Sequence, residues 1–243
     1  MISVCLTTYD GEKYIIDQLQ SILYQLGKDD EVIVSDDNSI DKTLEQIRSL
    51  CDARIKIIHN HHKNGILSNV ENALNNAHGD IIFLADQDDI WLPNKVNRCL
   101  EVLQTNDLVI SDCYVTDKDL NVINDSFFHL NRSLSNKWRA LIRNPYLGCC
   151  MAFNRKVLEK SLPFPAKIPM HDIWIGNLVA FNFKVSFINE KLIYYRRHGS
   201  NLSTASEPSK YGILKQINFR FILIKELIKL SFKNKQIRKS VMQ

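Results

Sequence analysis

Residues Asp80 to Val96 read D-I-I-F-L-A-D-Q-D-D-I-W-L-P-N-K-V, and the reading of this stretch decides the fold. Ile81, Ile82, Phe83, Leu84 and Ala85 form an apolar run with the length and composition of a strand buried on both faces. It stops abruptly at Asp86, Asp88 and Asp89. Like charges this close repel and raise one another's pKa, so the cluster costs free energy unless a cation or a donor network neutralises it. A metal ion fits that need. Acids that only shape a turn and cap a helix would account for one or two of the three. Pro93 suits the first turn of a helix, and Asn94 to Leu103 continue in helical character. Buried strand, acidic turn and helix together describe a ligand-site position at the carboxyl edge of an open sheet.

Upstream the same pattern repeats. Ile2 to Thr7 reads as a strand, and Glu12 to Gln25 carries Ile15, Ile16, Leu19, Ile22 and Leu23 at helical spacing. Glu31 to Ser35 is a second strand ending in Asp36-Asp37-Asn38-Ser39, followed by a capped helix over Asp41 to Leu50. Arg54 to His59 (strand), Asn64-Gly65 (turn) and Ser68 to Ala77 (helix) complete the series before the Asp80 strand. Consecutive β/α units predict an α/β fold with a mostly parallel central sheet and helices on both faces. Further on, strands are expected at Leu108 to Val115, Gly148 to Phe153, Val185 to Ile188 and Leu192 to Tyr195. Helices are expected at Ser133 to Ile142 and His171 to Phe181, with a polar loop over Arg196 to Leu202.

The 243 residues, 45% of them hydrophobic, suit one large domain or a domain with an appendage. No charge-free apolar run reaches the ~20 residues that span a bilayer, and Met1-Ile2-Ser3-Val4 leads straight into strand. The expectation is a cytoplasmic protein. Cys5, Cys51, Cys99, Cys113, Cys149 and Cys150 show no zinc-ligand spacing and read as small core residues in a reducing compartment. The net charge of +4 is unevenly spread: from Lys210 onward nine Lys or Arg stand against Glu226 alone, leaving 22 basic against 26 acidic residues before it. The basic stretch has no recognition motif and the presumed site is acidic, which argues against a nucleic-acid partner.

In such a sheet the carboxyl ends of neighbouring strands line one crevice, so Thr7-Thr8-Tyr9-Asp10, Asp36-Asp37 and Asp86 to Asp89 should meet. Neither G-x-G-x-x-G nor G-x-x-x-x-G-K-[ST] is present, so a bound phosphate needs another neutraliser. A divalent ion bridging acids and a diphosphate would supply it. Tyr9 then suits stacking on a base and Asp37 suits accepting from a base or ribose; a half-buried tyrosine and a helix cap describe the two equally well.

The segments S-V-C-L-T-T-Y-D-G-E-K-Y-I, E-V-I-V-S-D-D-N-S-I-D-K-T, D-Q-D-D-I-W-L-P-N-K-V, H-D-I-W-I and Y-R-R-H-G-S-N, in this order, resemble a bacterial family 2 glycosyltransferase of the GT-A fold over about residues 1 to 202. D-Q-D-D-I-W, G-C-C-M-A-F-N and H-D-I-W-I are most similar to polysaccharide rhamnosyltransferases. The resemblance implies a nucleotide-sugar-binding half over 1–104, an acceptor-facing half over 105–203, and a linker and basic amphipathic tail over 204–243. It implies that Thr7 and Tyr9 contact the nucleotide base, that Asp37 reads its edge, and that Asp86 faces the ribose or the metal's outer shell. Asp88 would ligate Mg²⁺ or Mn²⁺, and His198 with Arg196 would reach the metal or the diphosphate. Asp172, which local pattern alone makes a helix cap, would be the base that deprotonates an acceptor hydroxyl in an inverting transfer. Where many relatives carry Arg-Asn in the third helix, this chain has Val70-Glu71; Asn69 is the polar residue that would stand in.

The implied partners are a nucleotide-sugar donor, with dTDP-L-rhamnose first and a UDP-hexose or UDP-HexNAc second, and a saccharide or lipid-linked saccharide acceptor. Ile213 to Leu230 mixes Ile, Leu and Phe with Lys and Arg, as expected of a helix lying on the anionic inner face of a cell membrane. A helix packed on the body or on a second copy in a homo-oligomer fits the same pattern. A nucleotidyltransferase would want a basic Gly-rich loop after the first strand, which is missing, and a non-catalytic sensor would have no use for Asp88 together with Asp172.

Overall fold

A computed structural model describes residues 1–61, 65–133, 135–199 and 212–241, the side chains of 231–241 excepted. Its frame is four parallel strands, β1 (Ile2–Thr8), β2 (Glu31–Asp36), β3 (Ile55–His59) and β4 (Ile81–Asp86), in the order β3-β2-β1-β4. Every residue of β1 and β2 is buried, as continuous apolar runs covered on both faces require. Helices α1 (Ile15–Leu23), α2 (Thr43–Ser49) and α3 (Ile66–Asn75) make the crossovers, with Ile15, Leu19, Ile22, Ile47 and Leu74 in the core.

After β4 the chain forms β5 (Ile90–Trp91), α4 (Lys95–Leu103), β6 (Leu108–Thr116), β7 (Val122–Asn124), α5 (Phe127–Asn131) and α6 (Lys137–Ala140). A 3-10 turn over Gly148–Cys150, β8 (Met151–Asn154), α7 (Arg155–Ser161), α8 (His171–Asn182), β9 (Val185–Arg196) and α9 (Ile213–Val241) follow. The sheet continues past β4 as β8-β6-β9-β5, with β7 on the side of β6. Here it is mixed: β8 runs antiparallel to β4 and β6, β9 runs parallel to β6, and β5 is antiparallel to β9.

The later part of the chain departs from the sequence pattern in instructive places. The apolar stretch from Gly148 begins as a 3-10 turn, and only Met151 onward is strand. The two strands expected after Val185 are one, its register against β6 shifting around Ser111 and Asp112. The helix expected over Ser133 to Ile142 is the single turn of α6, capped by Asn136, whose side chain accepts from the Trp138 and Arg139 amides. Pro93 lies in the turn ahead of α4, and Asn94 takes the left-handed conformation at φ 68°. Asn64, the loop beyond Gly199 and the linker over 203–209 fall outside the described residues. Of the six cysteines, all unpaired, only Cys51 is exposed.

One polar knot pins the start of the sheet. Glu31, buried at the head of β2, accepts from Ser3 Oγ at 2.6 Å, Lys56 Nζ at 2.7 Å and the His78 amide at 2.8 Å. Burial opposes the charge, but these donors outweigh it and hold the carboxyl at about 2. Because the folded value lies below the unfolded one, the contribution is complete above pH ~4.5 and is lost as pH falls toward 2. Glu31→Gln is expected to lower stability by about 1–2 kcal/mol at neutral pH, after allowance for the exposed Lys56 partner, and by only a small part of that at pH 2. Denaturant melts at the two pH values check this; an equal loss at both would rule out the charge as the cause.

Candidate active site

The carboxyl ends of β1, β2 and β4 lie side by side, Thr7 in register with Asp86 and Thr8 with Asp36. The three strand ends expected to meet are therefore adjacent. Gln87, to which the sequence analysis gave no role, clamps its rim. Its Oε1 accepts from Thr8 Oγ1 at 2.6 Å and from the Tyr9 amide at 2.8 Å, while Nε2 donates to the Tyr9 carbonyl at 3.0 Å. Gly11 makes the clamp possible, since a Cβ there would sit 2.3 Å from Gln87 Oε1. Tyr9 remains 54% exposed and offers its ring to a planar ligand.

Other donor-side candidates are braced from within. Thr7 is buried. Asp37 accepts from Asn60 Nδ2 and from the Gly65 amide, both at 2.8 Å, so its two oxygens organise the loop ahead of α3. Asn69 is buried; its Oδ1 accepts from Ser35 Oγ at 2.6 Å and its Nδ2 donates to the Thr8 carbonyl at 3.3 Å. It ties the ends of β1 and β2 together.

The acidic turn is stitched to the far end of the chain. β5 pairs Ile90 with Tyr194 and Trp91 with Ile193, which carries the end of β9 alongside Asp88 and Asp89. His198 Nε2 lies 2.7 Å from Asp88 Oδ2, and the Arg196 amide donates to Asp89 Oδ1 at 3.1 Å. The His198 ring stands 5.0 Å from the Tyr14 ring, and the Arg196 guanidinium covers that ring at 4.4 Å while donating to the Lys118 carbonyl. Arg196 is buried behind the acids.

Charge is concentrated here. Burial, then the Asp88 and Asp172 carboxylates, push Asp86 up to about 7. Burial, with Asp88 and Asp86, pushes Asp89 far above the usual carboxylate range, although the Arg196 amide and the Cys149 thiol oppose the shift. Asp89 is fully buried, and its Oδ2 has no hydrogen-bond partner among the described residues. Donor atoms of Asp86, Asp89 and Cys149 lie within 4.8 Å of one another.

Across the crevice, α8 carries His171 and Asp172 in its first turn, both buried. Asp172 Oδ1 accepts from the Ile173 amide at 2.7 Å and Oδ2 from Asn144 Nδ2 at 3.0 Å. Asn144 is thereby fixed as the orienting partner of Asp172. In sequence it is only an Asn-Pro turn signal, which carries no hint of this partner. His171 packs on Gly148, where a Cβ would come within 2.5 Å of Nε2, and burial drives its pKa down, leaving the ring neutral. Gly148 abuts the His171 ring and its neighbour Cys149 has its thiol within 4.8 Å of Asp86 and Asp89, so the start of α8 and the acidic turn adjoin.

The sequence profile of Glycosyl transferase family 2 matches residues 3–162. The chain belongs to this family. A family 2 relative from Escherichia coli, the UDP-Glc:alpha-D-GlcNAc-diphosphoundecaprenol beta-1,3-glucosyltransferase WfgD, is 28% identical over 86% of this chain and 81% of its own length. The dTDP-rhamnosyl transferase RfbG of Shigella flexneri is 26% identical over 96% of this chain and 88% of its own. Among solved structures, Staphylococcus aureus TarS 1–349 in complex with UDP-GlcNAc superposes with a TM-score of 0.68 at 18% identity, covering 92% of this chain and 66% of that one. That likeness shows a shared GT-A fold. Glucosyl-3-phosphoglycerate synthase of Mycobacterium tuberculosis, solved with Mn²⁺ and UDP, superposes at 0.57 with 22% identity over 81% of this chain and 72% of that one.

A divalent cation suits the donor set that this family 2 chain presents. Asp88 and His198 offer an oxygen and a nitrogen already side by side, and the unpartnered Asp89 oxygen with the raised Asp86 marks carboxyls whose ionised form the protein does not itself support and a cation would.

Proposed function

We propose that the chain is an inverting glycosyltransferase, moving a sugar from a nucleotide-sugar donor to a hydroxyl of a lipid-linked saccharide. The observation that carries the reading is that the first turn of α8, which bears Asp172, adjoins the acidic turn through Gly148 and Cys149. Asp172, held by Asn144, would accept the proton of the acceptor hydroxyl while that oxygen attacks the anomeric carbon. A single displacement inverts that carbon. Tyr9 would stack on the base, with Thr7, Asp37 and Asn69 fixing the strand ends around it and Asp86 beside the ribose. Asp88 and His198 would hold Mg²⁺ or Mn²⁺, which neutralises the departing diphosphate. Arg196 acts from behind, by positioning Asp89 and Tyr14.

Relatives named for a glucosyl and for a rhamnosyl donor both match, so UDP-glucose and dTDP-L-rhamnose head the donor panel. The lipid-linked acceptor is supported by the diphosphoundecaprenol in one relative's name and by α9. Leu223 and Leu227 bury one side of that helix, while Ile217, Phe221, Ile224 and Ile228 stay exposed with Lys225 and Lys229 beside them. That side would rest on an anionic membrane surface. No described helix is long and apolar enough to cross a membrane.

With Mn²⁺ present, one nucleotide sugar of a UDP and dTDP panel is expected to raise Tm by about 5–10 °C at saturation and to release nucleoside diphosphate on turnover. A panel that neither stabilises the protein nor turns over would refute the reading.

A further inference from the structure

We propose that Arg132, Arg139 and Arg143 form a second anion site, one that grips the diphosphate of the lipid-linked acceptor. This deepens the acceptor reading above and rests on it for the ligand's identity. The three arginines line one shallow groove together with Asn144, between the end of α5 and α6. All three are exposed, and none has an ion-pair partner among the described residues. An anion with several oxygens would accept from the planar forks of arginines gathered at one groove and offset their like charge. Arg132 holds its place in the left-handed conformation at φ 50°, where glycine would be the easier residue.

The groove's position singles out the acceptor rather than the donor. Its wall residue Asn144 donates to Asp172, so the groove adjoins the proposed base. Trp138 and Ile142, next in sequence to Arg139 and Arg143, are exposed, and Arg220 of α9 donates to the Ile142 carbonyl at 2.8 Å. A saccharide at Asp172, its diphosphate over the arginines and its lipid chain leaving past Trp138 toward α9 therefore follow one continuous path. A free phosphate or an anionic headgroup shares part of that chemistry, and the test separates them.

Binding is measured on the full chain without divalent cations, so that the acidic crevice has no metal through which to take up phosphate. Farnesyl diphosphate serves as the probe, with farnesol, inorganic phosphate and phosphatidylglycerol vesicles as comparisons. Farnesyl diphosphate is expected to bind, and Arg139→Gln with Arg143→Gln to weaken it at least about tenfold. Farnesol and inorganic phosphate are expected to bind far more weakly, and vesicle binding to survive the double substitution. The site is overturned if the substitutions leave farnesyl diphosphate unchanged, or if farnesol or inorganic phosphate binds as well. It is likewise overturned if the substitutions release only the vesicles, because the arginines would then read headgroups. A silent donor panel with this binding intact would discard the transfer reading alone; a working panel with the binding absent would discard the groove alone.

Discussion

Asp172→Asn is expected to reduce turnover of the active donor by about 10³-fold while leaving nucleoside diphosphate affinity within about twofold of wild type. The substituted side chain keeps its shape, and its oxygen can still accept from Asn144 or from the Ile173 amide, so α8 has no reason to move. What disappears is the capacity to take a proton as the acceptor oxygen attacks. Asn144→Ala separates holding the base from being the base: the carboxylate remains but loses the donor at 3.0 Å, and a drop of about tenfold in kcat with little change in nucleotide affinity is expected. Release of nucleoside diphosphate and calorimetric titration read the two quantities. Unchanged turnover in Asp172→Asn would remove this residue from the chemistry. A larger loss in Asn144→Ala than in Asp172→Asn would invert the assigned roles.

Asp88→Ala is expected to weaken metal-dependent nucleotide binding by at least about a hundredfold. In the wild type, chelation of the metal should produce a fall of similar size; in the variant it should produce almost none. Since His198 Nε2 loses its partner at 2.7 Å, the loop after β9 is expected to become more open to protease in the variant. Calorimetry with and without chelator measures the first effect and limited proteolysis the second. Wild-type metal dependence retained in Asp88→Ala would show that the ion, if bound, sits elsewhere among the acids.

Much of this molecule can be read from local pattern. The apolar runs of β1, β2 and β4 and the periodic helices between them specify a parallel frame, and the acids at the strand exits specify where a ligand would sit. The later half resists because its elements are short or switch direction. Two residues of β5 and three of β7 are too few for periodicity to register, and β8, expected as a strand, runs antiparallel between β4 and β6, which its own composition does not signal. The GT-A fold itself came from the resemblance, and the superposition on solved structures agrees with it.

Site residues divide along the same line. A strand-end acid such as Asp86 announces itself by its cost, whereas Gln87 and Asn144 are neutral amides whose importance lies in partners 78 and 28 positions away. The pairing of Asp88 with His198 spans 110 positions and depends on the register of β5 against β9, so only the family resemblance brought the two together beforehand. Asn69 and Asp37 show the reverse. Their polarity suggests ligand contact, while the bonds the fold gives them, Asn69 to Ser35 and Asp37 to Asn60 and the Gly65 amide, carry no signal in the sequence.

The way β9 returns to the acidic turn limits how such enzymes could be recombined. A chimera that joined residues 1–104 of this chain to the later half of another would swap out the strand that pairs with Ile90 and Trp91 and the imidazole beside Asp88. Residues 1–104 are thus not a transplantable cassette. New acceptor preferences would be grafted more safely within 119–143, which spares Lys118, Asn144 and the seam from β8 through His198.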